Sequence, residues 1–178
     1  MTAQISDTFL YKGDKYALIG ITEGILASPE QFGMQPEMLH TACYRGFYAT
    51  YELTEEALYL RELTLRERNG RYLPIGEIQP EKEDYQATYH SLNEVIPFTG
   101  KIRLAKDFIR ELYVHMGHQK ATSFKTVLDI NLNDGKVVGI RDRSIEMEHK
   151  RGAFKKHYES GNMLETIDET FSLDMDLE

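Results

Sequence analysis

The chain has 178 residues, of which 41% are hydrophobic and 28% are charged, a balance typical of one soluble domain and not of a disordered chain. Its single cysteine excludes an internal disulfide framework, and no run of about 18 apolar residues marks a transmembrane helix. The first residues lack a basic stretch followed by an apolar one, so we expect a cytoplasmic protein that does not enter a membrane.

The acidic residues are unevenly distributed along the chain, whose formal net charge is −8. Residues 158–178 contain seven Asp or Glu and no Lys or Arg, whereas the preceding 157 residues contain 22 acidic and 21 basic side chains. The acidity therefore belongs to a C-terminal tail. Nucleic-acid binding requires a basic face and is not expected, and we interpret the one dense basic cluster, at 149–157, as a solvated helix face.

The first half of the chain predicts two β-hairpins. Strands are expected at 8–12 and 15–21, where Gly13 permits a tight turn between them. Apolar and polar residues then alternate over 44–53 and over 57–67, and this period of two predicts a second, longer hairpin.

The stretch from residue 24 to residue 42 contains two prolines and two glycines, so it cannot form a long helix or strand. Ser28 followed by Pro29 predicts one short helical turn there, with the serine as its cap. After the second hairpin, Asn69-Gly70 predicts another tight turn. The polar residues 76–88 are then expected to connect the two halves of the chain.

The second half is expected to begin with strands at about 89–98 and 100–105. Residues 106–115 fit both helical and strand spacing, and we favour a strand. Alternation around an Asn-Asp-Gly turn predicts a hairpin over 124–142, and Ser144 is expected to cap a helix that follows it.

Several segments of the two halves share one layout. The hairpin at 44–63 matches that at 124–140, and segment 9–19 resembles segment 95–104. We therefore predict a mainly β fold of the β-rich α+β class, an internally duplicated antiparallel sandwich or partly open barrel with one C-terminal helix and an acidic tail. The expected core includes Leu53, Leu58, Leu60, Ile130, Leu132 and Val137. The predicted organisation is one domain over 1–158, with pseudo-repeats at about 8–75 and 89–143 and a helix at about 144–158, followed by the acidic tail at 159–178.

The end of the tail alternates strictly between apolar and polar residues. Phe171, Leu173, Met175 and Leu177 alternate with Ser172, Asp174, Asp176 and Glu178, which predicts a strand with one apolar and one acidic face. Such a strand either completes the sheet of its own chain or adds to the sheet edge of a partner. The candidate residues for partner binding are Phe171, Leu173, Asp174 and Asp176.

Two pairs of potential metal ligands precede the two longer hairpins. His40 and Cys43 are three residues apart, as are His115 and His118, and a duplicated fold would join them in a Cys-His₃ zinc site. A partly buried, hydrogen-bonded histidine is the alternative, and we favour it. The sequence therefore indicates no metal and no other cofactor.

Catalytic signatures are absent from the sequence. A nucleophilic Cys43 activated by His40 or His115 is one hypothesis, but an unpaired cysteine beside a strand usually packs as a small hydrophobic residue. No nucleophile elbow, phosphate-binding loop, dinucleotide fingerprint or zinc-protease helix is present. A hydrolase-like enzyme that uses Cys43 remains the less favoured alternative.

The chain has eleven tyrosines and no tryptophan. Tyr44 and Tyr48 are expected on the opposite face of their strand from Tyr51, and a curved sheet lined by tyrosines can enclose a small ligand. Arg45 would anchor an anion in such a cavity, or it would pair with Glu62 or another acid at the surface. The candidate ligand-binding residues are Tyr44, Arg45, Tyr48 and His115.

Four segments of the chain resemble a family of small bacterial proteins with no established activity. The resemblance rests on Ala42-Cys-Tyr-Arg-Gly-Phe-Tyr48, Leu112-Tyr-Val-His-Met-Gly117, Thr99-Gly100 and Asn133-Asp-Gly-Lys136. It implies that residues 8–143 form one unit and that the tail is an addition. An aromatic residue tends to take the place of His118 in that family, which argues against the four-ligand zinc site.

These observations favour a non-catalytic cytoplasmic interaction protein, of the immunity or inhibitor type, that binds a basic protein partner such as a toxin. The separated acidic tail is the reason, since complementary charge increases association rates. A small-ligand-binding β-barrel protein is the first alternative, and the Cys43 enzyme is the second. The sequence does not indicate an oligomeric state.

Overall fold

A computed structural model describes residues 2–22 and 24–157, without the side chains of 152–157. Ten strands and one α-helix make up the fold, and three short 3-10 turns lie at Pro29–Phe32, Arg110–Leu112 and Ala121–Ser123. The strands are β1 (Thr8–Tyr11), β2 (Asp14–Ile21), β3 (Phe47–Leu53), β4 (Leu58–Leu65), β5 (Glu81–Glu83), β6 (Gln86–Tyr89), β7 (Glu94–Val95), β8 (Gly100–Phe108), β9 (Phe124–Asn133) and β10 (Lys136–Asp142). The helix α1 spans Ser144–His157. The predicted β-rich fold class is confirmed.

All ten strands belong to one mixed sheet that is not closed into a barrel. Its order is β10-β9-β8-β2-β1-β3-β4-β6-β5, and β7 pairs with β4 outside this path. The pairs are antiparallel except for β1 and β3, which run parallel with Thr8 opposite Thr50 and Tyr11 opposite Leu53. The first strand of the chain therefore lies in the middle of the sheet.

The core is formed by alternate residues of the central strands. On β3, Phe47, Ala49, Tyr51 and Leu53 are buried while the residues between them are partly exposed, as the period of two predicts. The predicted core is also confirmed: Leu53, Leu58, Leu60, Ile130 and Leu132 are buried in one cluster, and Val137 packs against it.

The turn between β9 and β10 reaches the opposite part of the sheet. The backbone N–H of Ile96 donates to the carbonyl of Leu58 on β4, at 2.8 Å, and the N–H of Gly135 donates to the carbonyl of Phe98, also at 2.8 Å. A Cβ atom on Gly135 would lie 2.7 Å from the Ile96 carbonyl oxygen, so only glycine fits there. Through the segment at 96–98, these contacts connect the β9–β10 turn to β4.

The predicted duplication is not supported by the topology. Both long hairpins form, but β1 separates β2 from β3 in the first half, whereas β8 pairs directly with β9 in the second. Two local predictions also differ from the structure. The connection at 76–88 contains most of the β5–β6 hairpin, and the strand expected through 106–115 ends at Phe108, next to Asp107 with its φ of +61°.

Helix α1 lies against β9 and begins at the predicted residue. Its Met147 packs with Val127 and Phe124 in a second apolar cluster, separate from the one that contains Ile130. The Ser144 hydroxyl accepts the Val127 N–H at 3.1 Å, and the Asp142 carboxylate accepts the Ser144 N–H at 2.8 Å. Ser144 therefore connects the helix to the sheet, and the acceptor at the start of the helix is Asp142.

The buried face of β9 yields a stability prediction. Ile130→Ala should lower the free energy of unfolding by about 2–5 kcal/mol, because Ile130 is fully buried and its loss leaves a cavity. The matched control is Ile145→Ala, since Ile145 is 71% exposed and its truncation should change stability by less than about 0.5 kcal/mol. Urea denaturation followed by circular dichroism measures both, and equal effects would contradict the core assignment.

Candidate functional site

A cavity of about 480 Å³ lies between strands β2 and β3, the loop at 24–28 and Asp7, the residue that precedes β1. This volume is within the range of small-molecule sites in proteins. Leu18, Phe47 and Tyr51 supply buried apolar walls, Ile25 lies at the exposed rim, and Asp7 and Arg45 supply polar groups. We treat this cavity as the candidate functional site.

Asp7 is placed by the parallel pairing of β1 with β3. It directly precedes β1 and is 4% exposed, and its carboxylate accepts the backbone N–H of Ala49 on β3 at 2.7 Å. The same carboxylate forms an ion pair with Arg45. A buried carboxylate needs such partners because an unpaired charge is costly to remove from water.

Arg45 is held by three contacts. Its Nε donates to the Phe47 carbonyl at 2.7 Å, its Nη2 donates to Asp7, and its guanidinium carbon lies 4.5 Å from the centre of the Phe47 ring. Its Nη1 makes no hydrogen bond with any described residue. The guanidinium is therefore oriented in advance while part of its donor capacity stays available.

Gly46 makes the turn that leads from Arg45 into β3. Its φ is +83°, and a Cβ atom there would lie 2.3 Å from the backbone oxygen of Glu37. Both the conformation and the close approach require glycine. The Arg-Gly pair in the sequence thus has a structural reason.

Tyr51 forms a wall of the cavity. Burial raises its pKa well above the ordinary value, so the hydroxyl stays neutral. Its ring stacks on Phe9 across the β1–β3 pair, with the ring centres 5.1 Å apart.

Of the four predicted ligand-binding residues, Arg45 alone lines this cavity. Tyr44 is exposed, and Tyr48 lies on the opposite face of β3 from Tyr51, as the alternation predicts. His115 packs edge-on against Tyr113, with the ring centres 5.0 Å apart. Arg45 pairs with Asp7 and not with Glu62, which contacts His90 instead.

The four potential zinc ligands do not meet as a site. Within the described part of the chain, no group of three or more His, Cys, Asp or Glu side chains is arranged to hold a metal ion. His40 accepts the N–H of Ala42 through Nδ1, at 3.2 Å. His40 is thus hydrogen-bonded within its own loop.

Cys43 is buried as a thiol. Burial raises its pKa, although the nearby Arg45 opposes this, and its Sγ donates to the Phe47 carbonyl at 3.3 Å. A nucleophile needs a lowered thiol pKa and access to a substrate. Neither condition is met, so the geometry gives no support to the enzyme that uses Cys43.

His118 lies close enough to Arg45 to feel its charge. Burial and, to a smaller extent, the positive charge of Arg45 together lower the pKa of His118 to about 4. Its Nδ1 is buried and has no hydrogen-bond partner among the described residues. His118 is therefore neutral at physiological pH.

Asp7, Leu18 and the loop at 24–28 were not predicted as site residues. An acid directly before the first strand is visible in the sequence, but nothing there connects Asp7 to Arg45, because parallel pairing of β1 with β3 has no local signature. The predicted partner-binding residues Phe171, Leu173, Asp174 and Asp176 lie outside the described residues.

Comparisons with family models, with curated proteins and with solved structures found no match. The resemblance of residues 8–143 to small bacterial proteins therefore stays a prediction. In the described residues, no helix has both the length and the apolar composition that crossing a membrane requires.

The partly buried His118 predicts a pH-dependent stability. Its pKa is about 4 in the folded protein and about 6.5 ordinarily, so the unfolded chain binds a proton that folded His118 does not. The contribution of neutral His118 to the free energy of unfolding therefore keeps its full value above pH 6.5. It falls by on the order of 3 kcal/mol as the pH decreases toward 4. His118→Phe should remove this part of the pH dependence.

Urea denaturation at pH 7 and at pH 4.5 measures the effect. The control is His149→Phe, because His149 is exposed and its replacement should leave the wild-type pH dependence intact. A His118→Phe variant that loses as much stability as the wild type between these two pH values would show that His118 is not buried.

Proposed function

We propose that this protein is a non-catalytic binding protein that holds a small amphipathic molecule in the cavity beneath the loop at 24–28. The observation that carries the proposal is the oriented Arg45 guanidinium beside largely apolar walls, with Nη1 unpartnered among the described residues. Small-molecule sites typically combine apolar walls with a few fixed polar groups.

Binding without catalysis is favoured by the state of the reactive groups near the cavity. Cys43 is a buried thiol with a raised pKa, and the pKa of Tyr51 is raised as well. The Asp7 carboxylate is occupied by Arg45 and by the Ala49 N–H. Nucleophilic catalysis needs an activated group next to a base, and the described lining residues do not supply that pair.

Filling the cavity tests this function. Ala27 is buried and lines the cavity, so the larger side chain of Ala27→Leu should weaken binding of octanol and octanoate about tenfold or more, through direct overlap. Ala57→Leu, in the β3–β4 turn, adds the same atoms outside the cavity and should bind as the wild type does. Isothermal titration calorimetry measures the affinities, with circular dichroism to confirm folding. Undiminished binding by folded Ala27→Leu would refute the proposal.

A second candidate function is interaction with a basic protein partner, of the immunity or inhibitor type, in the cytoplasm. It is supported by the seven acidic residues and the absence of Lys and Arg in 158–178. Edge strand β10 adds an observation from the fold, because Val138 and Ile140 are exposed and one side of its backbone is unpaired in the described sheet. Free edges accept strands from partners.

Removal of residues 159–178 tests this second function. A partner isolated with the full chain should associate several-fold more slowly with the shortened chain, and the rate for the full chain should fall as salt increases, since exposed charges are screened. Surface plasmon resonance measures both rates. As a control, the full-length variant with Asp84→Asn and Asp107→Asn loses two acidic side chains outside the tail. Equal association of the full and shortened chains would eliminate the tail as the binding segment.

A further inference from the structure

We propose that the ligand of the cavity is a monocarboxylate with a short apolar body, bound through the Nη1 group of Arg45. This inference rests on the small-molecule function proposed above and specifies the chemical class of the ligand. It also assigns separate roles to the two charged residues of the cavity, Arg45 as the binding group and Asp7 as the residue that positions it.

The hydrogen bonds of Arg45 show which donors a ligand can use. A guanidinium has five N–H donors in a fixed plane, and Arg45 uses Nε for the Phe47 carbonyl and Nη2 for Asp7. The two N–H groups of Nη1 have no partner among the described residues. Because Arg45 already has a fixed orientation, little side-chain entropy is lost when a ligand carboxylate accepts these donors.

The charges around the cavity argue for a single negative charge on the ligand. Arg45 is the one cationic side chain in the described lining, whereas Asp7 and Glu30 both contribute carboxylates. A dianion such as a phosphate monoester would be repelled by these two carboxylates and attracted by only one guanidinium. A cationic head group would be repelled by the guanidinium. If it took the place of Arg45 beside the buried Asp7, Arg45 would lose its ion pair.

The remaining walls determine the body of the ligand. Leu18, Phe47 and Tyr51 are buried apolar surfaces, and the side chain of Ile25 is 70% exposed at the rim. An alkyl chain inside the cavity would itself leave water and would cover the exposed Ile25 side chain, and such burial is the main source of affinity for apolar groups. Octanoate, with a linear chain and one carboxylate, is therefore a suitable probe.

The test compares three probes with one alkyl chain and different head groups: octanoate, octanol and octylamine. By calorimetry at pH 7, the full-length wild type should bind octanoate about tenfold more tightly than octanol, as expected for charge-assisted hydrogen bonds, and octylamine most weakly. Arg45→Met retains an apolar side chain and should reduce octanoate binding to the octanol level. Arg68→Met, at an exposed position outside the cavity lining, should leave the preference unchanged.

Because Arg45→Met leaves the buried Asp7 without its ion pair, an exposed position provides an independent pair of variants. Ile25→Lys and Ile25→Glu remove the same apolar surface at the rim and differ only in charge. Ile25→Lys should bind octanoate about threefold more tightly than Ile25→Glu, by Coulombic attraction in a partly solvated site, while octanol binds both equally.

The outcomes separate this inference from the function on which it rests. If octanol binds as tightly as octanoate and the Ile25 charge has no effect, the carboxylate class is wrong while cavity binding stands. If octylamine binds most tightly, the carboxylate class is wrong as well. If none of the three probes binds the wild type, both the class and the proposed small-molecule function fail.

Discussion

The parallel pairing of β1 with β3 is the contact on which the remaining architecture depends. With β2 on its other side, β1 joins the β2-β8-β9-β10 strands to the β3-β4-β6-β5 strands in one continuous sheet. Phe9 and Tyr51 are opposite each other in this pair, and both are fully buried. The same pairing brings Asp7 to the backbone of Ala49, and thereby creates the polar wall of the cavity.

Two groups of charged side chains in this fold have different consequences. Arg103 and Arg143 both donate to Asp129, and all three side chains are buried beneath helix α1. Burial opposes ionisation of Asp129, but these hydrogen bonds hold its pKa below the ordinary value. That cluster fixes the helix on the sheet and is inaccessible to a ligand. Arg45 instead pairs with Asp7 at the cavity, and its oriented guanidinium supports the small-molecule binding that we propose.

The sequence indicated one residue that lines the candidate cavity, Arg45, and did not indicate its ion-pair partner Asp7. Arg45 was recognisable because it precedes a glycine and a strand, and the alternation along that strand correctly separated Tyr48 from Tyr51. Asp7 was not recognisable, since it lies 38 residues from Arg45 and the two meet only through strand pairing. The burial of His118 likewise depends on packing between distant segments, which its own neighbours in the chain do not indicate.

The sequence by itself determined the local elements: the hairpins around Gly13 and the Asn-Asp-Gly turn, the helical turn at Pro29, and the buried residues of the alternating strands. These follow from backbone conformations and side-chain periodicity, which act over a few residues. Only the tertiary structure decided that β1 lies between β2 and β3, that the sheet stays open, and that Asp7 meets Arg45. Such pairings depend on which distant strands bury the most apolar surface together, and a local pattern does not encode that choice.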